Sequence, residues 1–499
     1  MKLKNITFNK QMLSLSVLSL LFLLSSCNKF LDVSPKTQVK EEDQFNNKQG
    51  FTDGLFGIYQ SAAKPDSYGK HLTFGFLDML AQRYENKSLS NTPFYKIARY
   101  NYTDPDVQKV VDSVFNNSYA TIAQANFVLK NVDNGILDET TKAIIKGESL
   151  GMRGFLHFDL IRMFSNSYND GANASSPSIA YLRSFTVRPT ERLKLEDALN
   201  ACEADLKDAE QLLSINQDID QIAQNQGSIS PDLFLQFRQN HLNYWAVKAT
   251  LARLYLYKGD KVNALKYALE VINSNKFRFV NQTTLNVDAT SINADLTFSS
   301  EHVFSIYVSR LKTMVDVLFK AQNATGEGGD LWSTRANLNA TFQTTLPNYG
   351  TDVRSPIASK SLWSELSSSI VYSKKLWSDN NDKDFNVKQR IIPVIKLAEM
   401  YYIAAESAPS IQEGTNYLNV VRVARLIPAL SPAPASQALF DAEVQMEYRK
   451  EFYAEGQLWF YYKRKGLTTI PSGLVSPMTN TQYTFPLPVA ELEFGTSGI

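Results

Sequence analysis

The sequence predicts an all-α protein, a scaffold of helical hairpins carrying one long, irregular, loop-rich insertion. Three observations lead there. Apolar residues recur at helical spacing in long windows on both sides of the chain's middle. Two such windows meet at a Gly-Asp turn, with small and large side chains alternating along the seam. From Phe277 to about Arg390 the helical period is lost, and Asn, Ser, Thr and Gly become frequent.

The elements follow in order. Phe51, Leu55, Ile58 and Tyr59 fall at helical spacing, so a helix opens the folded body. Val110 to Val132 is a second, with Val111, Val114, Phe115, Ile122, Ala125, Asn126 and Leu129 on one side. Ala143 to Phe164 is a long helix with a wide apolar face. Asp197 to Leu213 is another. Tyr244 to Lys258 and Lys261 to Asn273 then form a pair joined by Gly259-Asp260. Ala246, Ala249 and Ala252 alternate there with Trp245, Leu251 and Leu254, the signature of a tetratricopeptide-type hairpin. Within the insertion, Glu301 to Val308 alternates like a strand. Asn323 to Gly329 is a Gly-rich loop, and Asp379 to Asp384 an exposed turn. Helix returns at Pro393 to Ser407, Tyr417 to Leu426 and Phe440 to Lys463. Phe485-Pro486-Leu487-Pro488-Val489 is extended, because proline fixes its own φ and restricts the residue before it.

The start carries an address. Lys2, Lys4 and Lys10 precede Met12 to Leu24, a run of only Leu, Met, Val, Phe and Ser, followed by Ser25-Ser26-Cys27. A basic start, a short apolar run and small residues describe a secretory signal. The run would span about 20 Å as a helix, short of the roughly 30 Å hydrocarbon core of a bilayer. Leu24-Ser25-Ser26-Cys27 resembles a bacterial lipobox, in which cleavage precedes the Cys and that Cys is acylated. An ordinary secretory cut, with Cys27 incidental, is the alternative. The expected organisation is 1–26 signal peptide, 27–48 lipidated Cys and tether, 49–276 N-terminal helical region, 277–390 ligand-binding insertion and 391–499 C-terminal helical region.

Composition narrows the function. From Cys27 onward, 48 basic residues face 50 acidic ones, which argues against nucleic acid as a partner. With Cys27 lipidated, Cys202 stands alone as a buried apolar residue and no intrachain disulfide can form. His71, His157, His241 and His302 lack metal-ligand spacing. Gly326-Glu327-Gly328-Gly329 lacks the Lys and Ser/Thr of a phosphate loop. No nucleophile motif appears and no cofactor is expected. Glu148, Arg153, Asp159 and Arg162, and later Glu399, Glu406, Glu447, Arg449, Glu451 and Glu455, read as ion pairs tying helices together rather than as catalytic acids and bases.

A long insertion is where function is expected. Trp332 follows the Gly-rich loop, with Asp330, Arg335, Asn337 and Tyr349 nearby. A flat aromatic covers the C–H face of a sugar, while Asp, Arg and Asn bond its hydroxyls. Packing of Trp332 onto the scaffold is the competing reading. Tyr68 and His71, placed in an early loop, are the lesser candidates. Trp363 and Trp377 flank Glu365 and Lys374-Lys375, and Trp245 and Trp459 read as core.

Six phrases then resemble the SusD/RagB family of outer-membrane nutrient-binding lipoproteins. They are Cys27-Asn28-Lys29-Phe30-Leu31-Asp32 with Pro35; Tyr119 to Asn126; Gly147 to Phe164; Pro393 to Glu406; Glu447 to Gly456 with Trp459 and Lys463-Arg464; and Pro486-Leu487-Pro488 with Glu491. They span essentially the whole exported chain, in the family's order. Phe115 stands where relatives often have Trp, Tyr448 where a second charged residue is common, and Phe460-Tyr461-Tyr462 replaces a run that usually holds Asp.

The resemblance implies four tetratricopeptide-like hairpins in a SusD-like α-α superhelix and an irregular ligand-binding region. It also implies a SusC-type TonB-dependent outer-membrane transporter as partner, beneath a lipid-anchored, surface-exposed lid. The expected ligand is an oligosaccharide or polysaccharide, with peptide as the alternative. A surface glycoside hydrolase and a purely structural lid are the rivals from other classes.

Overall fold

The computed structural model describes residues 41–85, 93–218, 233–235, 238–320, 329–379 and 387–496. The signal, Cys27, most of the Gly-rich loop and most of the 379–384 turn lie outside them. Residues 41–47 form a separate unit with one short helix, Glu41–Gln44. The body begins at Lys48, the residue that the sequence places last in the tether, because Lys48 already belongs to the first long helix.

That helix, α1 (Lys48–Ala62), packs on α2 (Pro105–Asn131), whose start is set by Asp104 capping and Pro105 at the first turn. The helix starts five residues earlier than the apolar pattern suggests. α3 (Glu139–Phe164) packs on α4 (Leu195–Leu213), with β1 (Pro177–Ala180) and β2 (Arg192–Lys194) between them in sequence. The Gly147, Gly151 and Gly154 face of α3 lets neighbouring side chains approach closely. A Cβ on Gly147 would lie 2.7 Å from Leu213 Cγ, and one on Gly151 2.8 Å from Leu242 Cδ2. α5 (Tyr244–Lys258) and α6 (Lys261–Asn273) form the expected hairpin. Gly259 takes φ +78°, a left-handed conformation that suits glycine, and Asp260 caps α6 by accepting the Asn263 N–H at 3.0 Å.

Residues 274–396 then leave the repeat. β3 (His302–Tyr307) runs toward α7 (Leu311–Phe319), β4 (Trp332–Ser333) and α8 (Arg335–Phe342). β5 (Trp363–Ser367) and β6 (Ile370–Ser373) follow, and β7 (Ile391–Lys396) returns antiparallel to β3. β4, β6 and β5 form a three-stranded antiparallel sheet in that order. α9 (Leu397–Ser407) and α10 (Ile411–Ala424) make the fourth hairpin. Successive pairs stack, α2 on α3, α4 on α5 and α6 on α9, so the repeat resumes across the insertion.

The closing helical stretch is two helices rather than one. α11 (Gln437–Glu451) ends at Phe452, and α12 (Gln457–Arg464) starts after Gly456, whose φ is +73°. Phe485 to Pro488 is without helix or strand, and a short helix, Val489–Phe494, follows.

The acid–base pairs hold this frame. Arg153 of α3 grips Asp205 of α4 through two bonds of 2.6 and 2.7 Å, and Arg253 of α5 grips Glu399 of α9 at 2.6 and 2.7 Å. Arg464 of α12 takes Glu406 of α9 at 2.7 Å. Such paired, bidentate geometry is what makes a buried charge tolerable. Cys202 is buried and free, and burial pushes its thiol well above its ordinary pKa. Trp459 is in the core as expected. Trp245 is only half-buried, because it sits near the start of α5 with its indole N–H donating to the Gln217 carbonyl at 2.8 Å.

Candidate functional site

A sizeable groove lies away from the insertion's tryptophans. It has a volume of about 840 Å³, inside the roughly 300–1,000 Å³ range of small-molecule sites. Four elements build it. The end of α1 presents Phe56, Tyr59 and Gln60, three positions that share one helix face. The segment before α5 brings Asn240 and His241. β3 brings Ser305 and Tyr307, which alternate onto the same side of the strand. The start of α7 adds Arg310, Thr313 and Met314, again on one face, and Lys64 closes the rim beyond α1.

The floor is rigid. The Tyr59 hydroxyl donates to Glu148 Oε2 at 2.6 Å and accepts the Leu242 N–H at 2.9 Å. His241 Nδ1 lies 3.0 Å from the same Glu148 oxygen, and Arg238 pairs with that carboxylate. A carboxylate accepts, so Nδ1–H donates. Burial and the nearby Arg238 cation hold His241 well below the usual imidazole range, which keeps it neutral. Its ring centroid is 4.6 Å from that of Tyr59 and 5.8 Å, edge-on, from that of Phe56. Phe56 is 36 % exposed and Tyr307 40 % exposed. On the wall, buried Ser305 donates to Asn240 Oδ1 at 3.0 Å. That contact leaves the Asn240 amide nitrogen without a protein acceptor among the described residues. Aromatic area beside a fixed amide and hydroxyls can cover the C–H face of a sugar and bond its edge.

The residues predicted from sequence divide. Asp330, Trp332, Arg335 and Asn337 do gather around the β4–β6–β5 sheet. Trp332 is half-buried and opposite Tyr372, and Asp330 is exposed, although its surroundings raise its pKa through partial desolvation. Arg335 pairs with Glu365, and the Asn337 amide with Glu85, so both polar groups are already engaged. Tyr349 lies elsewhere. Its hydroxyl accepts from Arg422 at 2.6 Å, and the Arg422 and Lys450 cations sit 5.3 and 5.1 Å from its ring. Tyr68 is a core residue rather than a loop platform. It is 1 % exposed, packs against Phe155 and donates to Asp159 at 2.6 Å. His71 is half-buried beside Phe76, and desolvation lowers it to about 3.

Two family models match the chain. Residues 29–256 match the family described as starch-binding, associating with the outer membrane, and residues 317–486 match the SusD family. The chain belongs to the SusD/RagB family. Solved SusD-type structures share its fold. A SusD superfamily protein from Bacteroides thetaiotaomicron superposes with a TM-score of 0.65 at 20 % identity, covering 90 % of this chain and 98 % of the other. A SusD-like carbohydrate binding protein from Bacteroides vulgatus gives 0.67 at 14 % identity, covering 90 % and 96 %. A laminarin binding SusD-like protein gives 0.62 at 15 % identity, covering 90 % and 98 %. Among curated proteins, none matches the chain. These likenesses bear out the all-α, tetratricopeptide-like scaffold of this SusD/RagB protein.

The groove was not among the sequence candidates. In the sequence, Tyr59 falls with the apolar face of α1, and His241 is one of four scattered histidines. The available signals were Phe56, an aromatic one residue off the Phe51-Leu55-Ile58 face, and Tyr307, the last residue of an otherwise buried strand.

Proposed function

We propose that this SusD/RagB protein captures an oligomeric glycan at the bacterial surface and passes it to a SusC-type TonB-dependent outer-membrane transporter, performing no bond chemistry itself. The groove edged by Phe56, His241 and Tyr307 carries the reading, because it pairs open aromatic area with a fixed amide and hydroxyls. Glycan is placed ahead of peptide because solved relatives are described as carbohydrate binding and laminarin binding. Trp332 with Asp330 serves as an outlying contact. Acylated Cys27 and the residues after it act as the leash that keeps the protein at its transporter.

Isothermal titration of the purified protein against a panel of neutral and acidic oligosaccharides and peptides tests capture. The expected result is saturable binding of one glycan class, with Kd on the order of micromolar to millimolar, as befits an open groove. Chromatography of the same mixtures is expected to return every glycan uncut. Silence across the whole panel, with nutrient import still dependent on the protein, would favour a purely structural lid, and cleavage would favour a glycoside hydrolase.

The leash has its own test. Cys27→Ala is expected to yield a folded, ligand-competent protein that no longer fractionates with outer membrane. If the variant stayed with the membrane in cells lacking the transporter, acylation of Cys27 could not be the anchor.

A further inference from the structure

The rim of the groove carries two cations, and no described lining residue answers their charge. Lys64 and Arg310 sit on different contributing elements, the turn after α1 and the start of α7, and both are exposed. Neither forms an ion pair with any described residue, whereas many other Lys and Arg side chains of the body do. Among the described residues the lining contains no Asp or Glu. Glu148, beneath the floor, is fully buried and engaged by Arg238, Tyr59 and His241. His241 is neutral, so among the described lining residues the fixed charge is that of two cations, Lys64 and Arg310.

We infer that the glycan captured here is acidic, an oligosaccharide with carboxylates on its sugars, such as a polyuronate fragment. This rests on the capture reading above and deepens it. Phe56, His241 and Tyr307 cover the apolar ring faces, while Lys64 and Arg310 meet carboxylates projecting from the ring edges. A neutral glycan would gain nothing from either cation. An acidic one gains charge-assisted bonds and electrostatic attraction on approach. Neither cation is buried, so each contributes modestly and is weakened by salt.

The test is a titration of the intact protein with oligogalacturonate, alginate oligomers and glucuronate-containing oligomers, beside laminarin and malto-oligosaccharides of matched length. At low salt at least one acidic oligomer is expected to bind about three- to tenfold more tightly than the best neutral one, and the preference is expected to shrink at high salt. Charge reversal by Lys64→Glu with Arg310→Glu should bring the acidic-to-neutral affinity ratio to one or below. Circular dichroism and a thermal melt confirm that the variant is folded. Neutral oligomers binding as tightly as every acidic one would overturn the charge inference and leave capture standing, as would a preference that survives charge reversal. No binding by either class would remove the capture reading and this inference together.

Discussion

Phe56→Ala combined with Tyr307→Ala is expected to weaken glycan binding by at least about 30-fold, and to put it beyond detection where the parent affinity is millimolar. Flat aromatic side chains at the centre of a site commonly cost about 2 kcal/mol or more when truncated, and 1.4 kcal/mol is a factor of ten. Two such rings facing one ligand are not strictly additive, so the figure is a lower bound on their combined role. The substitutions separate binding from folding. More than a third of each side chain is exposed, so little packing is lost, and the thermal midpoint should move by only a few degrees. Trp332→Ala provides the contrast. As an outlying contact it is expected to cost less than about tenfold. If Trp332→Ala abolishes binding while the double variant binds normally, the site lies at the small sheet and the groove is not the capture surface.

That contrast reflects what a sequence can reveal. The α5–α6 hairpin was legible because its determinants are local. Gly259 supplies the left-handed turn, Asp260 the cap, and alternating alanines the seam, all within one short window. The ion-pair reading of Arg153 and Glu399 was legible as well, since charged residues on apolar helices need partners when buried. Helix starts were less so. α2 begins at its Asp104-Pro105 cap, before the apolar period becomes visible.

The site was legible only in kind. The groove proposed above holds the kind of chemistry looked for, aromatics beside an amide and cations, but its assembly depends on tertiary contacts. Arg335 and Asn337 look available in sequence, yet Glu365 and Glu85 reach them from other segments. Tyr68 looks like a loop aromatic, yet Phe155 and Asp159 of α3 enclose it. Phe56, His241 and the Tyr307–Arg310 segment converge from three distant stretches, and nothing in any one stretch indicates that the others lie beside it.

The second large effect concerns the frame that holds the insertion. Glu451 of α11 is almost fully buried and accepts from Arg425, just past the end of α10, at 2.9 and 3.1 Å, from Arg354 at 2.9 Å and from Lys396 at 2.5 Å. Arg354 also grips Asp352 at 2.8 Å and Glu447 at 2.9 Å, while Arg425 reaches Glu301 just before β3. One carboxylate therefore ties α10, α11 and two parts of the insertion together. Glu451→Gln keeps the shape and removes the charge, leaving three buried cations with fewer anions between them. The expected cost is about 3–5 kcal/mol, read as a lower urea midpoint with unchanged slope. The sign of the pH dependence follows from the depressed carboxylates. The surrounding cations hold Glu447 down at about 2 and Glu451 well below the ordinary 4.5. A carboxyl held low in the folded state stabilises it above the unfolded pKa, and that stability drains as pH falls from about 5 toward 2. The parent protein should thus lose stability steeply over that window, and Glu451→Gln, with one such group fewer, should lose it less steeply. Identical slopes for the two proteins would mean that Glu451 does not carry its charge in the fold, and the account of this junction would have to be abandoned.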